Sequence, residues 1–313
     1  MTPNPFIHNE YWIEQADTKI ISLDEQGKKL LHSCKDTPVT IFIRTEYMDA
    51  YIEALNNRTA PFILITTSNN DHAVPYLRYP DTDPQYKISC DKLLNNEKLI
   101  RWYGRLPVIE HPKIIGLPAG PKWQWFSTEF YGEDITDILS VYTQHCLEPE
   151  KKIVDKELKS NLLYLNYGVA NTDESYYKPH IGIRREIKDT LAQHFDWIAP
   201  IGSRRRETRW KFDQYIKLLS TYKFCVSPPG NGNDAHRTWE ALMLGVIPLL
   251  HKEGLQTEMY NNLPVVIVDD WNIITPAYLQ EVYSYMHNKT YDFSSLYTEY
   301  WDKQIKKEKL LLK

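Results

Sequence analysis

FCVSPPGNGNDAHRTWEALMLGVIP, residues 224–248, is the stretch on which the reading of this chain turns. It starts as a short apolar strand, 224–227, and runs into a loop rich in Pro, Gly and Asn, 227–234. A helix follows over 236–244, closed by Gly245, and a second apolar strand covers 246–250. In open parallel sheets, ligands sit outside the carboxyl ends of the strands. Gly230 and Gly232 carry no side chain, so backbone N–H groups there can approach an anion. The next helix N-terminus adds free donors and partial positive charge. Arg237 falls in the first turn of that helix. A cation there is mildly unfavourable for the helix itself, which points to phosphate recognition through a bidentate guanidinium. Glu240 is three residues after Arg237 and four after His236, so the three share a face. Glu240 either accepts from ribose hydroxyls or pairs with Arg237 within the helix.

Outward from this stretch the pattern stays α/β. Strands are expected at 162–165 and 265–268, and helices at 179–195, 208–222, 255–260 and 276–287. The first half offers strands at 39–43, 61–67 and 113–117 and helices at 46–55 and 134–145. The run PFILITT, 61–67, is apolar enough for a strand buried on both faces. Strands alternating with helices predict parallel sheets covered on both sides. The charged segment 148–160 reads as a linker or equally as a solvated helix. The resulting division is an N-terminal lobe at 1–147, the linker at 148–160, a C-terminal lobe at 161–290 and a terminal helix at 291–313.

The chain has 313 residues, and its Lys+Arg count of 37 nearly balances Asp+Glu at 41. That balance excludes a strongly basic nucleic-acid binder. No run reaches the roughly 18 to 20 apolar residues needed to cross a bilayer, and the first residues lack a signal-peptide pattern. Cys34, Cys90, Cys146 and Cys225 form no CxxC pair, which predicts free thiols in a reducing, cytoplasmic setting.

The motif S-P-P-G-N-G-N-D-A-H-R-T-W-E-A-L-M-L-G-V-I-P, 227–248, resembles the donor-binding motif of exostosin-like glycosyltransferases. Three further blocks are similar to that family: LPVVIVDDW at 263–271, LITTSNND at 64–71 and KIIGLPAG at 113–120. Two positions depart from it: Pro229 stands where Arg is frequent, and Thr67 where His is common. The resemblance implies two Rossmann-like lobes of the GT-B type, with the C-terminal helix packing back on the N-terminal lobe. It also implies sugar inversion without a required metal or other cofactor, a nucleotide sugar on the C-terminal lobe and a glycan acceptor mainly on the N-terminal one. The donor is expected to be a UDP-sugar, UDP-xylose among the candidates.

The candidate donor-binding residues are Asn166, Arg184, Ser227, Gly230, Asn231, Gly232, Asp234, His236, Arg237 and Glu240. Arg237 also counts as catalytic, because the leaving diphosphate needs positive charge. The catalytic base is expected in the loop after strand 61–67. Asp71 matches the family's N-S-D stretch, or else it closes an Asx-turn; His72 is its neighbour and rival. Arg204–206 is a positive loop, read either as a phosphate contact or as an exposed turn. His251 follows strand 246–250 and is a candidate contact to sugar or base. Asp269 and Asp270 raise a metal-binding alternative, and Trp102, Trp123 and Trp125 a sugar-stacking one. The competing functions are a nucleotide-sugar epimerase or hydrolase and a non-catalytic saccharide- or nucleotide-binding protein.

Overall fold

The computed structural model describes residues 6–7, 9–67, 74–76, 82–121, 135–155, 157–168, 178–195, 211–230, 232–252, 255 and 257–312. The chain divides into two compact units, each built on a parallel sheet with helices on its faces. These are the two expected Rossmann-like α/β lobes. One unit comprises residues 5–119, 256–259 and 297–313, and the other comprises 1–4, 120–255 and 260–296.

The first of these holds β1 (Thr18–Ile20), β2 (Val39–Arg44), β3 (Phe62–Thr67), β4 (Leu99–Arg105) and β5 (Ile114–Leu117), in the order β1-β2-β3-β4-β5. All six residues of β3 are buried, as a strand covered on both faces requires. Its helices are α1 (Asn9–Glu14), α2 (Glu25–Ser33), α3 (Met48–Asn56) and α4 (Pro84–Asn95). Ile41, Ile43, Phe62, Leu64 and Trp102 share one core with Ile52 and Leu55 of α3 and Leu93 of α4. The Trp102 indole lies in that core, fully buried, and donates to the Thr66 hydroxyl at 2.9 Å, so it does not stack on a sugar. Trp123 and Trp125 lie outside the described residues.

The second unit carries α5 (Ile135–His145), α6 (Pro149–Lys152), β6 (Asn161–Tyr164), α7 (Lys178–Leu191), α8 (Phe212–Ser220), β7 (Tyr222–Ser227), α9 (His236–Met243), β8 (Ile247–His251), β9 (Val266–Val268) and α10 (Pro276–Met286). Its sheet runs β6-β7-β8-β9, parallel throughout. Phe224, Val226, Ile247 and Leu249 pack with Ile187 and Leu191 of α7 and Leu279 and Tyr283 of α10.

The terminal helix α11 (Thr298–Lys309) belongs to the unit that contains the N-terminal strands. Glu308 pairs with Arg101 of β4 at 2.9 Å, Asp302 accepts from the Tyr11 hydroxyl at 2.7 Å, and Trp301 meets Trp12 edge to face at 5.3 Å.

Two boundaries differ from the sequence reading. The units part at Ala119/Gly120 rather than at 147, because α5 packs in the second unit: Tyr142 sits edge-on to Phe212 of α8 at 5.1 Å. The segment 148–160 is not an extended linker either. Ile153 is buried in the core of that unit, and the Lys159 side chain is buried with its Nζ donating to the carbonyls of Ser220 at 2.8 Å and Leu244 at 2.7 Å. Those carbonyls end α8 and α9, where helices leave acceptors unsatisfied and favour a cation. The region expected as a helix over 255–260 is a 3-10 turn, Thr257–Tyr260.

Candidate active site

The carboxyl ends of β6 and β7 and the start of α9 form the candidate site. Ser227 closes β7, and its hydroxyl lies 2.9 Å from that of Thr238 on α9, which ties the strand end to the helix. In the loop between them the Gly230 N–H donates to the Gly232 carbonyl at 2.8 Å, making a tight turn. Asn231 lies outside the described residues. Asp234 is buried; one of its oxygens accepts from the Trp239 indole at 2.7 Å and the Tyr260 hydroxyl at 2.9 Å. Its carboxylate thus fastens the loop to the helix and to Tyr260.

The residue that caps α9 is Ala235, which gives no side-chain bond to the first turn. Ala is among the poorest N-caps, so the helix opens with its positive end uncapped by a side chain. At the other end Gly245 adopts φ +63°. Its N–H bonds to the Leu242 carbonyl and the Val246 N–H to that of Ala241, the two bonds of a Schellman stop. His236, in the first turn, has Nδ1 2.8 Å from the Gly120 carbonyl.

Arg237 is the decisive side chain. It sits among the Tyr164 and Tyr215 phenols, the Cys225 thiol and the Glu240 carboxylate. Burial works against its charge and the Glu240 carboxylate works for it, so the guanidinium stays protonated. Its Nε is buried and has no hydrogen-bond partner among the described residues. No Arg237–Glu240 ion pair within 4.0 Å occurs among the described residues, so the intrahelical pair the spacing allowed is not formed. Glu240 turns to other helices instead. It is 4% exposed, with one oxygen accepting from Tyr215 of α8 at 2.7 Å and the other from Tyr142 of α5 at 3.3 Å. Burial, then the Glu240 charge, drives the Tyr215 pKa well up, which keeps the phenol a donor. Burial likewise pushes the Cys225 thiol up to about 12, so it stays neutral.

Arg184 of α7 links the two strand-end loops. Its Nε donates to the Pro229 carbonyl at 2.6 Å and its Nη1 to the Gly168 carbonyl at 3.0 Å. Asn166, two residues past β6, donates to the Tyr164 hydroxyl at 3.0 Å. Ser227, Gly230, Gly232, Arg184, Arg237 and Asn166 are therefore gathered at one edge of the sheet. The sequence reading passed over Tyr142 and Tyr215, which bond Glu240, and Tyr164 and Tyr167, which lie near Arg237. The available signal was Tyr164 and Tyr167 flanking Asn166 just past a strand.

The remaining candidates are placed as follows. His251 accepts from the Trp271 indole at 3.1 Å. Asp269 pairs with Lys252 at 2.7 Å, while Asp270 accepts from the Asn272 N–H at 2.9 Å. Among the described residues no group of three His, Cys, Asp or Glu is arranged to hold a metal. Asp71, His72 and Arg204–206 lie outside the described residues. No helix is long and apolar enough to cross a membrane, among the described residues.

No family profile and no curated protein matches this sequence. Among solved structures it is similar to a UDP-forming α,α-trehalose-phosphate synthase from Burkholderia vietnamiensis, with 7% identity, 93% of this chain and 76% of that one covered, and a TM-score of 0.38. The corresponding synthase from Burkholderia xenovorans gives 9% identity, 93% and 76% coverage and a TM-score of 0.37. An E. coli trehalose-6-phosphate structure with UDP-2-fluoro glucose bound gives 8%, 92% and 76%, and 0.36. The fold described above rests on the strand order and register of the chain itself, not on these overlaps.

Proposed function

We propose that this chain is a GT-B-type inverting glycosyltransferase that moves a sugar, hexose or pentose, from a UDP-sugar to a saccharide hydroxyl. The observation that carries the reading is Arg237: a part-buried guanidinium whose Nε–H is buried and unpartnered, in the first turn of a helix uncapped by a side chain, directly after a glycine-rich loop at a strand's carboxyl end. A buried charged donor left unpaired is costly, and a diphosphate supplies the acceptors it lacks. Arg237, the loop amides around Gly230 and Gly232 and the start of α9 hold the diphosphate and stabilise its charge as the glycosidic bond breaks. Arg184 fixes the two loops against each other. Glu240 meets the ribose hydroxyls if the longer of its bonds, that to Tyr142, yields. The acceptor hydroxyl attacks the anomeric carbon from the opposite face, giving inversion, and gives its proton to Asp71 or His72. In this mechanism no metal is required and the UDP-sugar is the co-substrate; UDP-xylose belongs in the donor panel.

Calorimetry with UDP on the full chain tests the donor site. One charge-assisted hydrogen bond contributes on the order of 1.5 to 3 kcal/mol, so Arg237→Ala should weaken UDP roughly 10- to 150-fold. A folded Arg237→Ala variant that binds UDP like the parent refutes the site. Release of UDP from a panel of nucleotide sugars, with and without oligosaccharide acceptors, tests the reaction. Release that ignores acceptors marks a hydrolase, a changed sugar an epimerase, and binding without turnover a non-catalytic protein.

A further inference from the structure

The carboxyl edge of the other sheet carries a second concentration of unsatisfied polar atoms. Arg44, the last residue of β2, is in register with Thr67, the last of β3. Immediately after it, Thr45 and Glu46 begin the 3-10 turn Thr45–Tyr47. Arg44 Nε, Thr45 Oγ1 and Glu46 Oε2 are each buried with no hydrogen-bond partner among the described residues. Thr45 is 1% exposed. Arg44 and Glu46 face each other, but at 3.5 Å, outside the roughly 2.7 to 2.9 Å of a closed charge-assisted bond. Buried polar atoms in folded proteins are nearly all paired. Three consecutive residues that each leave one unpaired, at the strand end where parallel sheets take ligands, are the mark of a site whose partner is not protein.

The donor set names the partner's chemistry. A guanidinium only donates, a carboxylate only accepts, and a threonine hydroxyl does both. A phosphate or sulfate would satisfy Arg44 and be repelled by Glu46. A sugar hydroxyl pair satisfies both, since each hydroxyl donates and accepts. Arg44 and Glu46 keep an open edge, their side chains 31% and 16% exposed, from which such a ligand can engage.

We propose that Arg44, Thr45 and Glu46 form a subsite for the neutral hydroxyls of a saccharide. Calling that saccharide the acceptor rests on the transferase reading; the subsite itself does not.

The test uses the full chain, fluorescently labelled, on a printed array of neutral and acidic oligosaccharides, with UDP calorimetry and a melting curve run on every variant. The parent should retain neutral glycans. Arg44→Gln and Glu46→Gln should lower that retention at least tenfold and leave UDP affinity unchanged. Thr45→Val should weaken glycan retention without lowering the melting temperature, because it removes a buried hydroxyl that has no partner to lose. Retention unchanged in all three variants, no retention of any neutral glycan by the parent, or retention of acidic glycans alone each overturns the subsite. A parent that binds neutral glycans through these residues but fails to bind UDP sinks the transferase reading and leaves the subsite standing.

Discussion

Replacing Gly245 by alanine tests whether 148–160 is a packed part of its unit. Gly245 sits at φ +63°, where an L side chain costs about 1 to 2 kcal/mol. A Cβ on it would also lie 2.5 Å from the Ile153 backbone nitrogen and 2.9 Å from the Lys152 carbonyl carbon. Both are main-chain atoms, so no rotamer change relieves the overlap. Overpacking of this kind adds typically about 1 to 3 kcal/mol. The combined expectation of about 2 to 5 kcal/mol lowers the melting temperature by roughly 4 to 15 °C at a few degrees per kcal/mol.

The matched control is Gly182→Ala. Gly182 lies in α7, is exposed and has nothing within 4 Å of its added Cβ. Relief of glycine's helical penalty should stabilise that variant by roughly 0.5 to 1 kcal/mol. Circular dichroism melts read both changes, and limited trypsin digestion adds a local readout. As Gly245→Ala pushes α9 from its neighbour, cleavage after Lys151, Lys152 and Lys159 should accelerate. A Gly245→Ala variant that melts within a degree of the parent and resists trypsin equally would refute the close approach, and 148–160 would be a linker after all.

Tyr215→Phe removes the 2.7 Å bond to the buried Glu240 carboxylate; a loss of about 1.5 to 3 kcal/mol in urea unfolding is expected, and an unchanged midpoint would show the bond to be idle. Burial lowers the Lys159 pKa to about 7, against about 10.4 in the unfolded chain. Its folded pKa is thus depressed, so the penalty is fully present below pH 7 and relieved between about pH 7 and 10, where the unfolded state binds more protons. Relative to Lys159→Met, the parent should gain stability across that window, by at most about 5 kcal/mol because the two carbonyl acceptors oppose deprotonation; a flat difference would contradict the lowered pKa. Under the proposed mechanism EDTA should leave sugar transfer intact, and a loss restored by Mn²⁺ would return Asp269 and Asp270 to the metal reading.

The parts of the fold that were legible are those whose signal is local. β3 and β7 are apolar runs because both faces of a parallel strand are covered, and α9 ends at Gly245 because its stop needs a left-handed residue there. β4, LIRWYGR, went unread: Arg101 and Arg105 interrupt its apolar pattern, and the charged partner of Arg101 is Glu308, more than two hundred residues away. Lys159 shows the same limit in a charged segment. Its sequence neighbours read as solvated, and what draws it inward is the pair of helix ends at Ser220 and Leu244.

The candidate site divides along the same line. The spacing of His236, Arg237 and Glu240 correctly put them on one short helix, and spacing within a helix offers Arg237 a single carboxylate, Glu240. Tertiary packing supplied competitors that no spacing rule contains. Tyr215 and Tyr142, from two other helices, engage the Glu240 oxygens. Because Glu240 is thereby occupied, Arg237 is left charged, with a buried Nε short of an acceptor. In a merely structural helix, pairing Arg237 with Glu240 would satisfy both groups at once. The chain instead spends two tyrosines on holding the carboxylate away from the guanidinium, the separation that a diphosphate would need under the proposed mechanism.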